Sequence, residues 1–172
     1  MMKYTLTDET KEMFGITLHR VKYENGEIGG WLEKESNLDQ DGNARVSGDA
    51  WVLGDAQVFG DAQVSGDARV YGNARVSGNA RVFGDAWVSG NARVSGNARV
   101  FGDADWMLAG PIGSRDRFTT IFREKDRLAV SCGCFYGSLD KFAEQVDKNH
   151  GDNEHGKAYR AMIDMVRIRF GA

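Results

Sequence analysis

Gly42-Asn43-Ala44-Arg45-Val46-Ser47 is followed by Gly48-Asp49-Ala50-Trp51-Val52-Leu53, and the pattern runs on without insertion to Gly102-Asp103-Ala104-Asp105-Trp106-Met107. Residues 42–107 are therefore eleven six-residue units, with Gly first, Asp or Asn second, Ala third, and Val fifth until Trp106 takes that place. A period held this long marks a repeat architecture, and it outweighs local propensity. Ala and Val alternate with variable residues, so a strand of three or four residues turns Ala and Val to one face and the variable residues to the other. The Gly-Asp or Gly-Asn pair is a corner, because Gly takes positive φ without cost and Asn or Asp tolerates it while bonding nearby backbone. Corners every six residues wind the chain into a triangular coil of three units, or 18 residues.

The inward residues are Val46, Val52, Val58, Val64, Val70, Val76, Val82, Val88, Val94 and Val100. Each contributes roughly 1.5–3 kcal/mol when buried, and the alanines keep the narrow interior filled. Eleven units make a little under four coils, a rod of roughly 18 Å at about 4.8 Å per coil. Both ends expose strand edges that must be covered.

Val followed four places later by Ala, repeated every six, resembles the hexapeptide repeat of left-handed parallel β-helices. The resemblance implies a mainly β triangular prism, and the left hand comes from it alone, since parallel crossovers generally favour the right.

The flanks read as covers. In residues 1–41, Ile16, Leu18, Val21 and Tyr23 surround a hairpin-like turn at Glu24-Asn25-Gly26. Gly30 to Asp41 is a degenerate first pair of units, with Leu32 and Leu38 in register with Ala44. In residues 108–172, the alternation of Phe118–Phe122 and Leu128–Cys132 predicts two strands. Ser138 is an N-cap for a helix reaching Asn149. A second helix from about Asn153 carries Tyr159, Met162, Ile163, Val166 and Phe170 at helical spacing. This predicts a small C-terminal α+β cap. The N-terminal opening with NARV-type units, and Gly110-Pro111-Ile112-Gly113-Ser114-Arg115 with Cys132-Gly133-Cys134-Phe135, resemble phage and prophage proteins of mostly undefined function. That resemblance implies a phage origin and a setting in the host cytoplasm.

With 22 Lys plus Arg against 25 Asp plus Glu, interspersed, the net charge is −3. This argues against a strongly cationic nucleic-acid binder and an acidic tail, and no direct nucleic-acid binding is expected. No run approaches the ~18 apolar residues of a membrane span, and the opening residues do not read as a secretory signal. The expectation is a soluble intracellular protein with reduced cysteines and no cofactor.

Hexapeptide-repeat acyltransferases, by resemblance, use a histidine from the coils or an adjoining loop as general base. Here His19, His150 and His155 all lie in the flanks, so acyl transfer is the alternative rather than the leading reading. Cys132, Cys134, His150 and His155 are the most metal-like set and suit zinc by type. Against zinc, only one residue separates the cysteines, on what reads as a strand.

Residues 18 apart stack, so one outer face reads Trp51, Arg69, Trp87, Asp105, with Arg69 between two indoles. The other faces read Arg45, Gln63, Arg81, Arg99 and Gln57, Arg75, Arg93. Asp49, Asp67, Asp85 and Asp103 align at one corner, and Asn43, Asp61, Asn79 and Asn97 at another. Trp51, Arg69, Arg75, Trp87 and Arg93 are the candidate binding residues, suited to phosphate or to stacking on a base. Phe59, Tyr71, Phe83 and Phe101 are candidate oligomer contacts. By likeness to the hexapeptide family a homotrimer is expected first and a dimer second. The leading expectation is a non-enzymatic phage protein that binds a host defence component or sequesters a signalling nucleotide. A structural module of the phage particle is a further alternative.

Overall fold

The computed structural model describes residues 2–172, which divide into two compact units, 2–105 and 106–172.

In the first unit, each of the first ten repeats contributes one two-residue strand. These are Arg45–Val46 (β4), Trp51–Val52 (β5), Gln57–Val58 (β6), Gln63–Val64 (β7), Arg69–Val70 (β8), Arg75–Val76 (β9), Arg81–Val82 (β10), Trp87–Val88 (β11), Arg93–Val94 (β12) and Arg99–Val100 (β13). Every parallel pair between them is 18 residues apart: Gln63 faces Arg81, Arg69 faces Trp87, and Arg75 faces Arg93. The result is a parallel β-solenoid of three sheets, β5-β8-β11, β6-β9-β12 and β4-β7-β10-β13. All ten repeat valines and the alanines from Ala44 to Ala98 are at 0% exposure, so the interior is a filled aliphatic column. The backbone ladder includes the corners, where Asp49 N–H donates to the Gly66 carbonyl at 2.9 Å. Gly66 has φ 71°, and a Cβ there would lie 3.0 Å from both N and O of Gly84 in the next coil. The corner thus needs glycine for its conformation and for the stacking of corner on corner.

The chain enters the solenoid through three longer strands, Tyr4–Met13 (β1), Ile16–Tyr23 (β2) and Ile28–Leu32 (β3). β1, β2 and β3 pair antiparallel in turn, and β3 then runs parallel to β5. Here the register differs from the sequence expectation. Leu32 faces Val52 and Leu38 bridges to Val58, so both leucines occupy valine places rather than the place of Ala44. The separation is 20 residues because this coil carries two extra residues before Val46. Asn37, fully buried, repairs the irregular corner. Its amide donates to the carbonyls of Gly54 (3.0 Å) and Ala56 (2.9 Å), and its carbonyl accepts from Lys34 N at 2.9 Å.

The open ladder at the N-terminal end is closed by side chains. Tyr23 Oη donates to Val46 O at 3.0 Å and accepts from Val46 N at 2.8 Å, serving as the missing strand for β4. The Tyr4 hydroxyl lies 2.8 Å from the Glu35 carbonyl and 2.7 Å from that of Leu38. At the other end the eleventh repeat leaves the pattern as a 3-10 turn, Asp103–Asp105. Trp87 N donates to Asp103 Oδ1 and Phe101 N to Asp105 Oδ2, both at 2.9 Å. Asp105 therefore does not continue the Trp51 column, since its carboxylate caps the ladder instead.

The second unit is an antiparallel sheet in the order Trp106–Ile112 (β14), Arg117–Arg123 (β15), Leu128–Cys132 (β16) and Phe135–Ser138 (β17), followed by helices Leu139–His150 (α1) and Glu154–Phe170 (α2). Ser138 and Asn153 cap the helices by accepting from Lys141 N and Gly156 N. Ile121, Val130, Phe142, Val146, Ile163 and Val166 form the core between sheet and helices.

Two measurements check this packing. Gly66→Ala places a Cβ in the left-handed region against the next coil and should destabilise by about 1–2 kcal/mol in urea unfolding. Burial raises the hydroxyls of Tyr4 and Tyr23 above the ordinary value of 10.0. The unfolded chain releases these protons first, so stability is intact below pH 10 and falls as pH rises beyond it. Tyr4→Phe and Tyr23→Phe should each flatten that alkaline slope.

Candidate functional site

The solenoid's outer faces are built by repetition, since whatever stands fourth in a unit stacks on its counterpart one coil away. Arg69 lies between Trp51 and Trp87, with its guanidinium carbon 5.6 Å and 4.5 Å from their ring centroids, as the column arrangement predicts. The column extends further than the repeats do. Trp31 pairs beside Trp51, and Lys11 Nζ and the Arg20 guanidinium sit over Trp31 at 4.7 Å and 4.6 Å. Arg20, Trp31, Trp51, Arg69 and Trp87 therefore follow one another along one face, with a cation against each indole, an arrangement favoured by the negative π-face of each ring.

Only the distal part of this column reaches solvent. Trp51 is 4% exposed and clusters with Leu18, Trp31 and Leu53, against which Met13, Ile16 and Tyr71 pack. The β1–β2 hairpin covers it, turning at Phe14-Gly15, where both residues have positive φ and Phe14 meets the Trp51 ring edge-on at 6.2 Å. Trp51 is thus corrected from a displayed binding residue to the anchor of the N-terminal hairpin. Trp87 remains 41% exposed, beside the half-buried Arg69. Arg75 and Arg93 are exposed and face one another on the next sheet, β6-β9-β12. The five candidate residues thus fall on two faces that meet at a corner, with one of them covered.

The four candidate contact aromatics also separate, because the sixth place of successive units rotates through three edges. Phe83 and Phe101 share one edge of the prism and meet edge-to-face, with 3.6 Å between ring centroids and 61° between planes, and Phe101 is 56% exposed. Tyr71 lies on a second edge beneath the hairpin, 6.0 Å from Trp51. Phe59, on the third, lines a groove with Leu38 and Gln40 of the chain's own first coil. Of the four candidate contacts, the half-buried Phe83 and the exposed Phe101 are the pair that shares an edge.

The corners are laddered as well. Asn43 Nδ2 donates to Asp61 Oδ1 at 2.8 Å and Asn79 Nδ2 to Asn97 Oδ1 at 3.4 Å. Mixing amides with carboxylates lets one corner residue donate to the next. Among the arginines, Arg45 is held by Glu27 at 2.6 Å and lies 4.0 Å from the Tyr23 ring centroid.

In the second unit Cys132, Cys134 and His150 line one cleft. They do not assemble as zinc ligands, and among the described residues no three His, Cys, Asp or Glu could hold a metal ion. The strand that suggested a shared face for the cysteines ends at Cys132, and the chain turns at Gly133 (φ 61°), leaving Cys134 exposed. Cys132 Sγ accepts from Thr119 Oγ1 at 3.2 Å, and the His155 ring lies against that of His150 at 5.9 Å.

These features define a parallel β-solenoid repeat protein joined to a small α+β unit. Its residues 62–76, 74–90 and 92–104 match the YdcK beta solenoid repeat, so this stretch of coils is similar to the coils of that family. No curated protein matches the chain.

A double-mutant cycle on Arg69→Ala and Trp87→Ala should give a coupling of about 0.5–1 kcal/mol in unfolding free energy. Arg75→Ala with Trp87→Ala, on different faces, should be additive.

Proposed function

We propose that this chain is a non-enzymatic binding protein encoded by a phage, acting in the host cytoplasm as a homotrimer, and that its partner is a host defence protein. The observation that carries this reading is the exposed Trp87 with Arg69 held 4.5 Å from its ring. A tryptophan and an arginine fixed on a filled prism lose little entropy on binding, and these two residue types dominate protein interfaces energetically. Arg75 and Arg93 lie around the corner from this pair. A small nucleotide cannot lie flat on both faces, whereas a protein surface can wrap the corner, so the geometry favours the protein partner over the signalling nucleotide. The phage origin and cellular setting rest on the resemblance of the flanking segments.

For the trimer, the exposed Phe83–Phe101 edge is the apolar contact that supports association. Phe83→Ser with Phe101→Ser should convert the trimer to monomer in sedimentation equilibrium.

The binding reading is tested by affinity capture from infected cells with the wild-type chain, the Arg69→Ala/Trp87→Ala variant and the Arg75→Ala/Arg93→Ala variant. One host protein should be retained by wild type and lost at least tenfold in both variants. Equal capture by all three, or recovery of the chain only in purified phage particles, would contradict the proposal, the latter favouring a structural role.

A further inference from the structure

The α+β unit contains a cleft that the solenoid reading does not use. The β14–β15 turn and the β16–β17 turn lie at the same end of the sheet. α1 runs back to that end, and α2 starts from it. The cleft between them has a volume of about 550 Å³, within the range of small-molecule sites.

Its charge is one-sided. The lining groups of fixed charge are Arg115 and Arg117, both positive. No Asp or Glu lines it. The nearest turn carboxylate, Asp116, is outside the lining, and Asp147 at the end of α1 is held by Arg160 at 2.9 Å. Burial pushes the Tyr159 hydroxyl up to about 12, so it stays a neutral donor there. The lining also includes the aromatic side chains of Phe135, Phe142 and Tyr159. Phe142 packs against Phe135 at 5.2 Å and against Tyr159 at 5.5 Å.

Two glycines let these groups approach. Gly133 has φ 61°, and a Cβ on it would collide with Arg117 Nη1. Gly113 has φ 81°, and a Cβ on it would collide with Tyr159 Oη. The two turns therefore admit the guanidinium and the phenol directly against backbone.

We infer that this cleft binds a phosphorylated small molecule carrying a planar ring, with Arg115 and Arg117 on the phosphate and Phe135, Phe142 and Tyr159 against the ring. Paired guanidinium donors match phosphate oxygens, and aromatic walls accept a flat ring whatever its pattern of edge groups. The site is independent of the solenoid surface, so its failure would leave the proposed partner binding untouched.

The test is calorimetric titration of the full chain with AMP, GMP, CMP and UMP, and with adenosine and inorganic phosphate. At least one nucleotide should bind saturably at one per chain, with adenosine and phosphate each at least about tenfold weaker. Arg115→Gln and Arg117→Gln should each weaken the nucleotide about tenfold or more without shifting the melting temperature, because both side chains are exposed. Arg75→Gln, on the solenoid, should change nothing. The inference is overturned if no nucleotide binds at about 1 mM, if binding survives the double Arg115→Gln/Arg117→Gln change, or if phosphate alone binds as tightly as the nucleotide.

Discussion

Along the solenoid, N–H groups find their carbonyl seventeen residues ahead, as Arg45 N does on Ala62 O and Arg81 N on Ala98 O, both at 2.9 Å. A filled interior of valine and alanine holds the coils in that register. The two requirements reinforce one another. A slip of one residue would break the ladder and turn a valine outward, so the backbone and the core select the same pairing. Side chains then stack because the backbone does. The columns of arginine, tryptophan and asparagine on the outside are consequences of the ladder and need no organisation of their own.

A ladder of this kind has to end, and both ends of it use side chains in place of backbone. Tyr23 supplies Val46 with a donor and an acceptor, and Asn37 bridges the irregular first coil. At the far end Asp103 and Asp105 accept from Trp87 and Phe101. Each replacement blocks the unpaired edge on which a further strand, or another chain, would otherwise add.

The repeats were readable because Gly, Ala and Val mark corner and interior at fixed spacing, and the two C-terminal helices because Ser138, Asn153 and the apolar spacing mark them. The register of the first coil was not, since Leu32 and Leu38 are six apart like a true repeat and nothing in composition shows the two additional residues before Val46. β1 was also hidden, because Thr5 to Glu12 is largely polar and lies mostly at the surface. That hidden strand is what removes Trp51 from the displayed surface. The pairing of Arg69 with Trp87 followed from the period, but the cleft at the end of the α+β unit joins two turns and two helices distant in sequence, and only the fold brings them together.

The most direct test of the register is chemical. With Cys132 and Cys134 replaced by serine, Arg75→Cys/Arg93→Cys places two thiols on neighbouring parallel strands in one column, at a spacing of about 4.8 Å between strands that suits a disulfide. Mild oxidation should close that pair within the chain, while Arg75→Cys/Arg81→Cys, six residues apart and on different faces, should stay reduced. Closure of the second pair rather than the first would contradict the 18-residue coil on which the account stands.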